Sequence, residues 1–269
     1  LGLTNYEKED YGQSLAKAGV GPGCYIVLPV LGPSTARDTI ASAFNYLGGD
    51  PWYNVTVNKD TQYFEDSDYY LSKNFKVSGN DNMVGGDILN VNKKVNFHKV
   101  DCENYKELKK ILKGVDVVVH AAAYAHEGLS VFSPYLITKN IFSGSVSVFT
   151  AAVMQKVKRV VYCSSMARYG NIKQPFHESD IPNPVDPYGI AKLAAEKVLI
   201  SLCKLNNIEW VIAVPHNIVG PKQKYDDPYR NVMSIIIHKM LKNESPIIYG
   251  DGEQKRCFSY IDDCITPLY

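Results

Sequence analysis

The chain has 269 residues, 45% hydrophobic and 21% charged, with a formal net charge of +1. These values suit one large globular domain or two modest ones, and the near-neutral charge offers no electrostatic basis for binding nucleic acid or an anionic membrane. The longest apolar run, around Tyr25–Leu31, is short and interrupted by Pro29, so no bilayer-spanning segment is expected. No signal peptide is visible and the first residue is Leu; the ends are expected to be cut. The six cysteines show no CxxC or Cys/His spacing of a zinc site. Three of them lie in apolar runs, as small buried thiols do in a reducing compartment, so no metal and no disulfides are expected.

Residues 1–73 are rich in Gly, Pro, Tyr and Asp, with little periodicity. Helices are predicted at Tyr11–Ala18 and Thr35–Tyr46, the second opened by Pro33-Ser34 and closed by Gly48-Gly49. From Asn74 the pattern changes. Strands are predicted at Phe75–Ser78 and Val95–Val100, a helix at Tyr105–Leu112, then a strand at Val115–Val119. A helix over Thr138–Met154 precedes a strand at Arg159–Ser164, and a helix over Tyr188–Cys203 precedes a strand at Trp210–Val214. Strands alternating with helices at this spacing predict a parallel sheet covered on both faces. Runs such as Val117-Val118-Val119 suit strands buried on both sides.

Chemistry concentrates in Tyr188-Gly-Ile-Ala-Lys192, with Ser164-Ser165 at the end of the strand upstream. A helix puts Tyr188 and Lys192 on one face. An ammonium beside a phenol favours the phenolate and is expected to lower the phenol's pKa. A serine at the C-terminal end of a neighbouring strand lies on the sheet edge where open parallel sheets bind ligands. YxxxK also occurs by chance in helices; the serines and Pro187 opening the helix favour the functional reading.

Asp81-Asn82, Asp101, His120-Ala-Ala-Ala123, Asn140, Ser164-Ser165 with Tyr169-Gly170, Asp186-Pro-Tyr188-Gly-Ile-Ala-Lys192, His216-Asn217 with Gly220-Pro221, and Gly250-Asp-Gly252 with Arg256-Cys-Phe258 and Tyr260-Ile-Asp262-Asp263 follow in order. The stretch from Asn74 thereby resembles the extended short-chain dehydrogenases, and most of all the UDP-glucose 4-epimerase group among the NAD-dependent epimerases and dehydratases. The resemblance implies a Rossmann-like α/β fold, a cytoplasmic enzyme, a nucleotide-sugar substrate, NAD as cofactor, and a homodimer as one assembly open to it. It implies Ser165, Tyr188 and Lys192 as catalytic residues. For the cofactor it implies Asp81 and Asn82 at the adenosine ribose, Asp101 and Cys102 near the adenine, and Ala121, Ala122 and Ala123 in the turn along the dinucleotide. Asn140, Ser164, Tyr188, Lys192 and Pro215 complete that set. Ser165, Asn217 and Arg256 would face the nucleotide-sugar, Arg256 pairing the pyrophosphate through its fork of donors. Asn140 reads equally as a solvated helix residue, and His126-Glu127 either reach the sugar or form a loop pair in solvent.

Two departures matter. Ser165 is followed by Met166-Ala167, where the related 4,6-dehydratases carry an Asp-Glu pair; this favours epimerisation over dehydration. The family begins with a strand and a glycine-rich turn that holds the pyrophosphate, and no such turn precedes Phe75. Gly19-Val-Gly21-Pro-Gly23 does not follow a predicted strand, and Pro22 has no NH to donate. The expected fold is therefore an incomplete Rossmann-like parallel sheet lacking its first strand and glycine-rich turn, with an irregular N-terminal segment and a truncated substrate-binding part. Asp10-Tyr-Gly12-Gln-Ser-Leu15, Gly19–Gly23, Tyr25-Ile-Val-Leu-Pro29 and Leu31-Gly-Pro-Ser34 with Arg37-Asp38 resemble the C-terminal part of the MlaA/VacJ lipoproteins, outer-membrane proteins that handle phospholipids. The expected organisation is an MlaA/VacJ-like fragment at 1–73 joined near Lys73 to an epimerase-like part at 74–269, the first part packing loosely on the second. Alternatives in other classes are a phospholipid-handling envelope protein and a non-catalytic Rossmann-like binding module.

Overall fold

The computed structural model describes residues 24–27, 54–58, 71, 75–84, 88–221, 223, 232–248, 250–253 and 255–268. The predicted helices at 11–18 and 35–46, the 19–23 glycine stretch and the junction at Lys73 lie outside them. Strands β1 (Cys24–Val27), β2 (Asn54–Asn58), β3 (Lys76–Asp81), β4 (Asn96–Lys99), β5 (Val117–His120), β6 (Arg159–Cys163) and β7 (Glu209–Val214) form one sheet, in the order β1-β7-β6-β5-β2-β3-β4. Strand β4 is parallel to β3, and β5, β6, β7 and β1 run parallel to one another. Strand β2 lies between β3 and β5 and is antiparallel to both.

The loose packing expected of residues 1–73 therefore does not hold for two of its segments, which are strands of the sheet. The sheet is also not wholly parallel. Because β2 is reversed, its first residue, Asn54, sits beside Asn80 and His120 at the edge where the neighbouring strands end. Among the described residues, no glycine turn follows a parallel central strand at that place.

Side chains along the parallel strands alternate between two apolar layers, as the pleat requires. Val118, Val160, Tyr162, Ile212 and Val214 face one layer; Val119, Val161, Cys163 and Ala213 face the other. The first layer is covered by α1 (Tyr105–Ile111), α4 (Gly144–Met154) and α5 (Pro187–Asn206). Helices α2 (Glu127–Phe132) and α3 (Pro134–Thr138) precede a π-helical turn, Lys139–Ser143, that runs into α4. The continuous helical run Pro134–Met154 is long and apolar enough to cross a membrane by length and composition, which counting contiguous apolar residues missed; 44% of its apolar window is buried within this fold. A second, two-stranded sheet pairs β8 (Ile218–Val219) with β9 (Ser259–Tyr260); α6 (Val232–Leu241) lies between them in the chain, and α7 (Ile261–Leu268) packs on both strands. Among the described side chains, Cys102, Cys163, Cys203, Cys257 and Cys264 form no disulfide with one another.

Helix α5 shows how local sequence and packing agree. The Asp186 side chain accepts the Gly189 N–H at 2.8 Å, Pro187 fills the first turn, and Asn207 closes the helix in the left-handed conformation at φ 53°. Its Ala191, Ala195, Leu199 and Cys203 are buried. Leu199 is 0% exposed and Leu205, on the opposite face, is 77% exposed. Leu199→Ala is expected to lower stability by about 2–5 kcal/mol through lost burial and the cavity left behind. Leu205→Ala should stay within about 0.5 kcal/mol. Urea denaturation of both variants checks this contrast, and equal losses would contradict the packing.

Candidate functional site

The ends of β3, β5, β6 and β7 share one edge, and the predicted residues follow them. Asp81 is the last residue of β3 rather than the first beyond it. Its carboxylate accepts the Met83 N–H, and the Asn82 amide donates to Asp101 Oδ2 at 2.8 Å, tying the ends of β3 and β4 together. Asp101 Oδ1 also accepts the Glu103 N–H at 2.8 Å. The Asn80 amide, buried below, donates to the Val100 carbonyl at 3.0 Å. Burial pushes the Cys102 thiol up, and the charges of Asp101 and Asp81 push the same way, which keeps it a neutral thiol.

After β5 comes the stretch Ala121–Ala123. The Tyr124 N–H just beyond it donates to Asn140 Oδ1 at 2.9 Å. Asn140 sits in the π-helical turn, and the structure assigns its side chain to holding the post-β5 loop. His120 itself is buried, 2.9 Å from Ser145 Oγ, and stacked on Tyr162. Burial, with a smaller contribution from Lys192, lowers its pKa to about 3. It is therefore a neutral core residue.

Tyr188 and Lys192 come together on α5 beside Ser165. The Ser165 hydroxyl lies close enough to the Tyr188 phenol to favour its ionised form, and it accepts the Ala167 N–H at 3.2 Å as the cap of a 3-10 turn, Met166–Tyr169. Lys192 Nζ donates to the Cys163 carbonyl at 2.8 Å and lies 5.1 Å from the Tyr162 ring centre and 6.0 Å from that of Tyr188. The expectation that Tyr188 is lowered does not hold in this environment. Burial pushes the phenol well up, and the carboxylates of Glu127 and Asp186 add to this; the Ser165 hydrogen bond only offsets part of it. Burial also lowers Lys192 to about 8, against smaller opposing influences of Cys163 and Glu196.

Ser164 does not share Ser165's exposure. Its buried hydroxyl donates to Glu196 Oε1, so it bonds within the protein. The Ser164 N–H donates to the Ala213 carbonyl at 2.8 Å and the Met166 N–H to the Pro215 carbonyl at 3.3 Å, which lock the post-β6 and post-β7 loops together. Asn217 adopts φ 43°, and its amide donates to the Cys257 carbonyl at 3.0 Å, anchoring the loop that carries Arg256. Arg256 is exposed. Its charge reaches both His216 and Glu127: it helps burial lower His216 and opposes the burial and Asp186 that raise Glu127. Arg256 is thus linked electrostatically to His216 and Glu127, and Glu127 to Tyr188.

This edge geometry coincides with a match of residues 67–268 to the NAD dependent epimerase/dehydratase family. The chain belongs to that family. A separate match to the MlaA lipoprotein family covers residues 1–86. A putative UDP-glucose 4-epimerase of Methanocaldococcus jannaschii is 34% identical over 201 residues, covering 73% of this chain and 65% of that protein. The UDP-glucose 4-epimerase of Thermotoga maritima, solved with UDP-glucose, superposes with a TM-score of 0.70 at 30% identity, covering 74% of this chain and 65% of that one. The Thermus thermophilus UDP-glucose 4-epimerase, solved with NAD, gives 0.68 at 26% identity, covering 74% and 67%. The chain spans 65% of the length of the first of these curated relatives and half of others. Its α/β architecture is the Rossmann-like fold of these family members.

Within this epimerase/dehydratase site, residue-by-residue reading missed Glu196 and Arg168. The signal was present, since Glu196 lies eight residues beyond Tyr188 and four beyond Lys192, on the same helical face.

Lys192 allows a test of the electrostatics. Its pKa in the fold, about 8, lies below the unfolded value of about 10.4, so the buried ammonium opposes folding below pH 8. That opposition fades as pH rises through this window. Lys192→Met removes the effect, and the stability difference between the two chains should change by on the order of 3 kcal/mol between pH 8 and 10.4. Contributions of cysteines and tyrosines remote from Lys192 cancel in that difference. Urea denaturation across the pH range measures it; a pH-independent difference would refute the low value for Lys192.

Proposed function

We propose that the chain is an NAD-dependent epimerase of a nucleotide-sugar, working through a 4-keto intermediate. The observation that carries this reading is the meeting of Tyr188, Lys192 and Ser165 at the edge where β6 ends. The donor set fits NAD at both ends: Asp81, Asn82 and Asp101 for the adenosine ribose and adenine, Tyr188 and Lys192 for the nicotinamide riboside. When bound, NAD supplies the hydride acceptor and returns the hydride. Tyr188, as phenolate, takes the proton of the sugar 4-hydroxyl as the C4 hydride departs, leaving a carbonyl. Ser165 donates to that oxygen, and Lys192 holds the nicotinamide ribose while favouring the phenolate by its charge. Return of the hydride to the opposite face of C4, with the proton from Tyr188, completes the inversion. Asn217 and Arg256 belong to the nucleotide-sugar side of the cleft, Arg256 facing the diphosphate. The absence of an Asp-Glu pair after Ser165 supports epimerisation over dehydration.

Tyr188→Phe and Ser165→Ala are each expected to lower the turnover of UDP-glucose to UDP-galactose by about 10²–10⁴-fold with little change in KM. A coupled galactose assay reads this. A wild-type chain that binds NAD and UDP-glucose but transfers no hydride would favour a non-catalytic Rossmann-like module.

NAD binding is expected to be weaker than about 1 μM. The missing glycine turn removes several charge-assisted hydrogen bonds to the pyrophosphate, each worth about 1.5–3 kcal/mol. Calorimetric titration checks this, and submicromolar affinity would mean that another phosphate cradle exists. The match at residues 1–86 favours, as a second reading, a chain that joins an MlaA/VacJ-like piece to the epimerase part near Lys73, with phospholipid handling as the first piece's ancestral role. Phospholipid in an organic extract of the purified protein would support that role.

A further inference from the structure

We infer that Glu196 is a positioning residue: its buried carboxylate clamps the turn that presents Ser165 onto the helix that presents Tyr188 and Lys192. The inference rests on the reading of Ser165, Tyr188 and Lys192 as the reacting set. Glu196 is 0% exposed and grips the post-β6 turn at two points on either side of Ser165. Ser164, immediately before it, donates its hydroxyl to Oε1, and Arg168, three residues after it, pairs with Oε2 at 3.1 Å. Arg168 is itself 3% exposed. Burial raises the Glu196 carboxyl, while Arg168 first, then Ser164, Lys197 and Lys192, favour its ionised form.

An independent feature shows how tightly the turn and helix are fitted. A Cβ placed on Gly189, the residue after Tyr188, would lie 2.6 Å from the Ala167 carbonyl oxygen, so only glycine permits the approach. Backbone fit sets the spacing of the two elements, and Glu196 sets the turn's rotation about it. Stability alone is a poor reason for such a pair. A buried ion pair is often matched or bettered by apolar residues of similar volume. What an apolar replacement cannot supply is a directional hydrogen bond to Ser164 together with a counter-charge for the buried Arg168. With that hold, the Ser165 hydroxyl stays aimed at the Tyr188 phenol, which is also faced by Glu127 from α2, Asp186 from the helix cap and Cys163 from β6.

The test compares Glu196→Gln and the double variant Glu196→Met/Arg168→Met with the unsubstituted chain by amide hydrogen exchange. In both variants exchange in residues 164–170 should rise at least about tenfold, while α1 keeps its protection. The double variant preserves packing, so it separates loss of the clamp from general unfolding. A second arm follows NAD reduction by UDP-glucose in single turnover, where Glu196→Gln should slow the hydride step about tenfold or more and leave KM nearly unchanged. Because Glu196 acts through Ser165, its loss should add little to Ser165→Ala. Unchanged exchange at 164–170 in both variants, or additive effects with Ser165→Ala, would overturn the proposal. If the turn loosens as expected but the unsubstituted chain reduces no NAD, the reaction assigned above fails while the clamp stands.

Discussion

Helix α5 meets the end of strand β6 through three side chains stacked along one of its faces. Tyr188 lies beside Ser165, Lys192 donates to the Cys163 carbonyl, and Glu196 holds Ser164 and Arg168. Each contact joins the helix to the same short stretch, Cys163–Arg168, so the relative position of the strand end and the helix is over-determined. The remaining loops depend on that junction. The post-β7 segment is tied to it through the Pro215 carbonyl, and the Arg256 loop is tied to the post-β7 segment through Asn217. A shift of α5 would therefore propagate to both the post-β7 segment and the Arg256 loop.

The electrostatics of the junction place opposing demands on two groups. Burial holds Tyr188 as a neutral phenol and weakens Lys192's grip on its proton, each resisting charge in a dry environment. A phenolate–ammonium pair relieves both costs together, since each charge then has a partner within the same low-dielectric pocket. The Ser165 hydroxyl, with a hydrogen bond available to the phenolate, favours the same paired state. Glu127 and Asp186 act against it through like charge, which makes any cation drawn toward them, Arg256 included, relevant to the Tyr188 proton.

At the other end of the cofactor edge, the reversed β2 changes what the fold can offer. Asp81, Asn82 and Asp101 form a hydrogen-bonded corner, whereas the central slot of the sheet presents the start of a strand.

Much of this was legible in the residues themselves. The strands between Phe75 and Val214, and the helices α1, α4 and α5, followed from apolar runs and from caps such as Asp186-Pro187, because those signals are local and survive packing; the elements beyond Val214 were not read. The pairing of Tyr188 with Lys192 followed from helical spacing alone, and its proximity to Ser165 from strand order. Other features depended on three-dimensional surroundings. That Tyr188 is raised and Lys192 lowered reflects burial, which no spacing reveals. That Ser164 turns inward while Ser165 turns outward follows from the alternation of an extended chain, yet which of the two faces the cleft depends on where Glu196 lies. The direction of β2 and the seating of Pro134–Met154 in the fold were likewise decided by tertiary structure, because strand polarity and the covering of an apolar helix are properties of neighbours distant in sequence.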